Sequence, residues 1–138
     1  MRLTQHTVQR NWFTPQRTVI VCTDACSSGW GAWYKHVHGF HFVQNTWPSV
    51  DIQLTHNNYL ELRAVREAIC SAHFSKVFIR VFSDNMSTVH MLNKFFTQVE
   101  TCALELKQIL TYTLAHDCAV KAYHVPGKLN HVADYLSR

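Results

Sequence analysis

The chain has 138 residues, 47% of them hydrophobic and 16% charged, which is one domain with enough apolar material for a core and excludes a disordered tail. No apolar run reaches the length of a membrane span, and the polar, basic start Met1-Arg-Leu-Thr-Gln-His is unlike a signal peptide, so a soluble intracellular protein of cytoplasm or nucleus is expected. Five cysteines, an odd number with no CxxC pair, argue against a disulfide framework, and a net charge of +4 with ten histidines uncounted suits a polyanionic partner.

Residues 1–17 show neither helical nor strand periodicity, and Pro15 stops a helix from running into the apolar run that begins at Thr18, so they read as a connector or arm. The domain proper is expected over 18–138. Thr18-Val-Ile-Val-Cys-Thr-Asp24 is apolar, largely β-branched and too short for a helix: a buried strand that ends on a carboxylate. Trp30 to His36 and Gly39 to Asn45 read as the next two strands, joined by short glycine-containing turns into an antiparallel meander. Trp30, Trp33 and Phe42 are expected as core or sheet-face aromatics, because aromatics at strand spacing mostly pack. A zinc site could be assembled from Cys22, Cys26, His36, His38 and His41, but Cys22 falls inside a buried strand and the spacing matches no standard finger.

After Pro48 the spacing of Leu60, Ala64, Ile69 and Ala72 predicts a helix over about Asn58 to Phe74, with Glu61 in its first turn near the positive helix end. Val77 to Ser83 is an apolar strand broken by Arg80, expected to be central and parallel to the first, and Asp84 ends it as Asp24 ended the other. A short helix from Met86 to about Lys94 comes next, then a longer one from about Gln98 to His116 with Leu104, Ile109, Leu110 and Leu114 inward. Cys118 to His124 reads as the last strand, Pro126-Gly127 as a turn and Asn130 to Leu136 as a closing helix. The sum is an α/β domain with one five-stranded mixed sheet, three antiparallel strands and then two parallel ones, flanked by helices.

Side by side in a right-handed crossover, the first and fourth strands would bring Asp24 and Asp84 out at one sheet edge, and Glu61 and Asp134, each near a helix start, can lean toward it. Four converging carboxylates repel one another. Two Mg²⁺ ions, with Mn²⁺ as a substitute, would neutralise them and, roughly 3.5 to 4 Å apart, clamp both oxygens of an in-line phosphoryl displacement.

The motifs Thr23-Asp24, Asn57-Asn-Tyr-Leu-Glu61, Ser83-Asp84-Asn and Asn130-His-Val-Ala-Asp134-Tyr-Leu-Ser-Arg138, in that order, resemble the ribonuclease H domain of a retrotransposon reverse transcriptase polyprotein, closest in wording to the DIRS and gypsy types. The resemblance implies a two-metal endonuclease that hydrolyses the RNA strand of RNA/DNA hybrids. In it Asp24 would bridge the metals, Glu61 and Asp84 would hold the one that activates water, and Asp134 would help hold the other. His124 stands where a family histidine assists proton transfer and product release, but it closes a strand rather than lying on a long loop, and a plain strand-end histidine is the competing reading. Asn57 and Asn58 match the paired asparagines that touch the hybrid's backbone and sugar edge, a helix N-cap being compatible with that; Ser27 is a further candidate for a minor-groove contact. The implied partners are the hybrid and a reverse transcriptase domain of the same polyprotein, which Trp12 and Phe13 could contact if they do not pack on the domain edge. A departure is the absence of a Lys/Arg-rich helix, Phe95-Phe-Thr-Gln occupying that region. Two rivals stand beside this reading: a catalytically inactive scaffold of the same fold, which has no physical reason to crowd four carboxylates, and an integrase- or resolvase-like nuclease, which would place its glutamate late in the chain.

Overall fold

The computed structural model describes residues 17–36, 39–48 and 57–126. Residues 1–16 of the expected arm, Gly127 of the expected turn and the closing helix with Asn130 and Asp134 lie outside the described residues, while Arg17, expected in the arm, opens the first strand. Strands β1 (Arg17–Ala25), β2 (Gly29–His36) and β3 (Gly39–Thr46) lead to helix α1 (Asn57–Ser71), strand β4 (Val77–Ser83), helices α2 (Met86–Lys94) and α3 (Glu100–Ala115), and strand β5 (Ala119–His124).

The sheet has the order β3-β2-β1-β4-β5. β1, β2 and β3 form the antiparallel meander, while β4 is parallel to β1 and β5 parallel to β4. This matches the five-stranded mixed sheet expected from the pattern, with β4 an interior strand between β1 and β5. Alternation along β4 shows why it tolerates a charge: Val77, Ile79, Val81 and Ser83 are buried, whereas Arg80 is exposed on the opposite face among Phe78 and Phe82. The core lies between the sheet and the helices, where Val19, Val21, Ile79 and Val81 meet Leu62, Val65, Ile69, Leu92 and Ile109. Trp30 belongs to this core, while Trp33 and Phe42 pair across β2 and β3 on the sheet face away from it, Phe42 being exposed.

Two helical expectations need correcting. Helix α1 stops at Ser71 rather than Phe74, because His73 takes a left-handed backbone (φ 58°) and turns the chain; Phe74 is nevertheless buried. In α3 the inward stripe is Cys102, Glu105, Leu106, Ile109 and Thr113, whereas Leu104 and Leu114 are exposed and Leu110 is half-buried. Hydrophobicity alone misplaced the stripe because a carboxylate occupies one of its core positions. Glu105 is accepted there because Arg66 of α1 donates from Nε to its Oε1 at 2.7 Å, clipping α3 to α1. Glu105→Ala should therefore lower unfolding stability by about 2 kcal/mol in urea titration, short of a fully buried pair because Arg66 keeps Glu67 as a second partner at 2.8 Å.

Gly29 is required where β2 opens. A Cβ there would run into the Asn45 carbonyl oxygen of β3, which is backbone and cannot swing away. Gly29→Ala should cost about 1–3 kcal/mol by the same titration, as overpacking does.

Candidate metal centre

The register of the parallel pair sets the site. Cys22 of β1 lies opposite Phe82 of β4, so two residues further on Asp24 comes level with Asp84, just past the end of β4. Both emerge at the carboxyl edge of the parallel strands, where open α/β sheets bind ligands. Across the antiparallel pair Asp24 faces Gly31, which puts no side chain there.

Glu61 comes from α1, but as the fifth helical residue and not in the first turn, so the helix end does not account for its charge. A carboxylate oxygen of each of Asp24, Glu61 and Asp84 lies within 4.8 Å of the others. Asp24 and Glu61 are about 95% buried and Asp84 is half-buried. Burial, then the charges of Asp24 and Asp84, then a hydrogen bond with the Asp24 carboxyl push the Glu61 carboxyl up to about 9, against the opposing pull of the Ala25 backbone N–H that donates to it. Its Oε2 is buried with no hydrogen-bond partner among the described residues. Three carboxylates on three elements, one with an orphaned oxygen and an unwanted proton, form an all-oxygen donor set that fits a hard divalent cation.

The other candidates fall around this trio. His124 ends β5 opposite Ser83, the residue before Asp84, and is exposed; it closes a strand, and the Val125 N–H after it donates to the Ser83 carbonyl at 3.0 Å. Asn57 is exposed at the first turn of α1, and Asn58 is half-buried beside it. Ser27 is exposed in the β1–β2 turn. Of the zinc reading, His38 and the side chain of His36 lie outside the described residues; Cys22, Cys26 and His41 form no ligand group among the described residues, and burial pushes the Cys22 thiol up to about 12.

Two supporting residues escaped the sequence reading. Trp47 is buried and donates from its indole Nε1 to the Cys26 carbonyl at 2.7 Å, while Arg63 of α1 lies over its ring at 5.3 Å. It thus ties the turn after Asp24 to the helix that carries Glu61. The second is Asn85, which caps α2 by accepting from the Thr88 N–H at 2.8 Å and, through Nδ2, donates to Asn58 Oδ1 at 3.0 Å. Its signal was present in the sequence, a cap-type residue directly before a helix.

No family model matches the sequence, and no curated protein matches it. Solved structures do. LC11-RNase H1, from a compost metagenome and in complex with an RNA/DNA hybrid, superposes with a TM-score of 0.69 at 17% identity over 86% of this chain and 92% of that one. RNase H1 of Halobacterium salinarum NRC-1 gives 0.64 at 17% identity over 88% and 93%. The foamy viral protease-reverse transcriptase in complex with RNA/DNA hybrid gives 0.54 at 14% identity, over 86% of this chain and 19% of that one. The chain has the ribonuclease H fold.

Proposed function

We propose that the protein is a metal-dependent endonuclease that hydrolyses the RNA strand of RNA/DNA hybrids during reverse transcription of a retroelement. The observation that carries this reading is the convergence of Asp24, Glu61 and Asp84 within 4.8 Å at the carboxyl edge of the sheet, with Glu61 Oε2 left unsatisfied. A scaffold gains nothing from three carboxylates that destabilise one another. Asp24, Glu61 and Asp84 would hold the cations, with Asp134 as the fourth ligand that the sequence motif supplies. Two Mg²⁺ ions in such a site supply charge neutralisation, activation of water and stabilisation of the leaving oxygen in phosphodiester hydrolysis.

The chain's own residues do the rest. Burial of Asp24 and Glu61 keeps water from screening the centre, so its charges act at full strength on a phosphodiester placed at the sheet edge. Asn57 and Asn58 of α1 and Ser27 in the β1–β2 turn would hold the backbone and sugar edge of the hybrid. His124, exposed at the end of β5, would assist proton transfer and product release, as the resemblance implies. The likeness to a protease-reverse transcriptase supports a reverse transcriptase domain as partner, and the DIRS- or gypsy-type motif order supports a retrotransposon source.

The deciding experiment is cleavage of end-labelled hybrid, RNA duplex and DNA duplex with Mg²⁺ and with EDTA. Cutting of the hybrid's RNA strand alone, and only with the metal, is expected; equal cutting of DNA duplex would refute the ribonuclease reading. With a net charge of +4 and no basic helix among the described residues, the chain should neutralise few phosphates, so hybrid affinity measured by anisotropy should be weak and fall gently with salt. Nanomolar binding at physiological salt with a steep slope would show that a substrate handle exists elsewhere.

A further inference from the structure

Asn85 sits between the two halves of the site. Its backbone N–H donates to Ser83 Oγ at 3.1 Å, its Oδ1 accepts from the Thr88 N–H at 2.8 Å, and its Nδ2 donates to Asn58 Oδ1 at 3.0 Å. A primary amide can turn over by half a rotation and exchange its donor for its acceptor, so the orientation of each asparagine must be set by a neighbour that has no such freedom. Here that neighbour is the backbone N–H of Thr88, which can only donate. It holds the oxygen of Asn85 toward itself and so aims Nδ2 at Asn58. Asn58 must answer with its oxygen, which leaves its own Nδ2 as the outward end; that nitrogen has no partner among the described residues. Asn58 precedes Glu61 by three residues and shares its helix face. The donor therefore stands beside the carboxylates.

We propose that Asn85 is a positioning residue that fixes the polarity of the Asn58 amide, making Asn58 an obligate hydrogen-bond donor to a 2′-oxygen of the RNA strand. This rests on the reading of the site as a hybrid nuclease. A donor locked in this way recognises an acceptor that a deoxyribose lacks, without a competing rotamer in which the amide would present its oxygen. The lock runs through one residue, immediately after Asp84, so the element that carries a metal ligand also orients the sugar contact.

The test is a double-mutant cycle on hybrid cleavage with Mg²⁺, reading KM and kcat separately. Asn85→Ser keeps an oxygen for the Thr88 N–H and so keeps the cap, but it cannot reach Asn58 as a donor. Asn85→Ser and Asn58→Ala are each expected to raise KM about three- to tenfold with kcat within about twofold, and the double variant to be no worse than Asn58→Ala alone. Additive effects, or a fall in kcat at unchanged KM, would overturn the inference, since Asn85 would then act only on α2 or on Asp84. Asn85→Asp provides a second probe should the serine variant fold poorly: it keeps an oxygen for the Thr88 N–H but offers Asn58 only an acceptor, so the Asn58 amide turns its nitrogen inward, and KM should rise in the Asn58 background and not further in the Asn58→Ala background. A ladder of hybrids with one 2′-deoxynucleotide each completes the test. One position should raise KM for the wild type and leave KM of Asn58→Ala unchanged; if none does, the 2′-oxygen assignment is wrong. No hybrid cleavage by the wild type would overturn the functional reading and this inference together, whereas cleavage with additive effects removes the inference alone.

Discussion

Asp24→Asn should reduce hybrid cleavage by at least about a hundredfold while the protein stays folded, and Asp84→Asn should do the same. The amide keeps the shape of the carboxylate and removes its charge, so what is lost is attraction for a cation and not packing. Asp24 is the more telling of the two because it is buried, lies in the middle strand of the sheet and shares a hydrogen bond with Glu61. Without metal its charge helps to force on Glu61 a proton that the unfolded chain would release, a cost that the amide reduces, so the variant should melt at a temperature equal to or above that of the wild type in EDTA near neutral pH. With Mg²⁺ the order should reverse, because only the wild type gains stability from the bound cation. Cleavage rates and melting curves, each in Mg²⁺ and in EDTA, check both halves. Near wild-type cutting by either variant would remove the two-metal assignment.

The second large effect is a stability that falls as pH rises when no metal is present. The Glu61 carboxyl is pushed up to about 9 in the folded chain from an ordinary value of 4.5. Between these two values the unfolded chain has released a proton that the folded chain still holds, so unfolding gains on folding by up to about 1.4 kcal/mol per pH unit. The contribution is fully present below the unfolded value and is lost once pH has risen through the folded one. Cation binding requires the ionised form and expels that proton, so stabilisation by Mg²⁺ should be small near pH 5 and largest near pH 9, roughly. Glu61→Gln has nothing to titrate and gives the reference. The difference in melting temperature between wild type and Glu61→Gln in EDTA, followed across this window, should decline steadily. A flat difference would mean that Glu61 is ionised in the metal-free protein.

Much of this molecule is legible in its sequence alone. β-Branched runs ending on Asp24 and Asp84 announce two buried strands with a carboxylate at the end of each, because continuous apolar residues have one stable place in an α/β domain and a terminal charge must leave it. The glycine-containing turns mark the meander, and Asn85 before Met86 marks a helix start. What the chain could not reveal locally was anything that depends on which surfaces meet. Glu105 reads as a solvated residue until α1 brings Arg66 to it, and with that pair missing the inward face of α3 is assigned to Leu104 and Leu114, which are exposed. Trp47 reads as one more aromatic in a loop until the β1–β2 turn offers it the Cys26 carbonyl. Glu61 was recognisable as a candidate ligand, but its proton is a tertiary property: burial and the approach of Asp24 and Asp84 act only once three elements distant in sequence converge. Composition and periodicity determine which segments bury and where each ends, since these depend on the solvation of individual side chains. Distances between charges and the direction of an amide belong to the assembled sheet, since they depend on neighbours that the chain order does not place side by side.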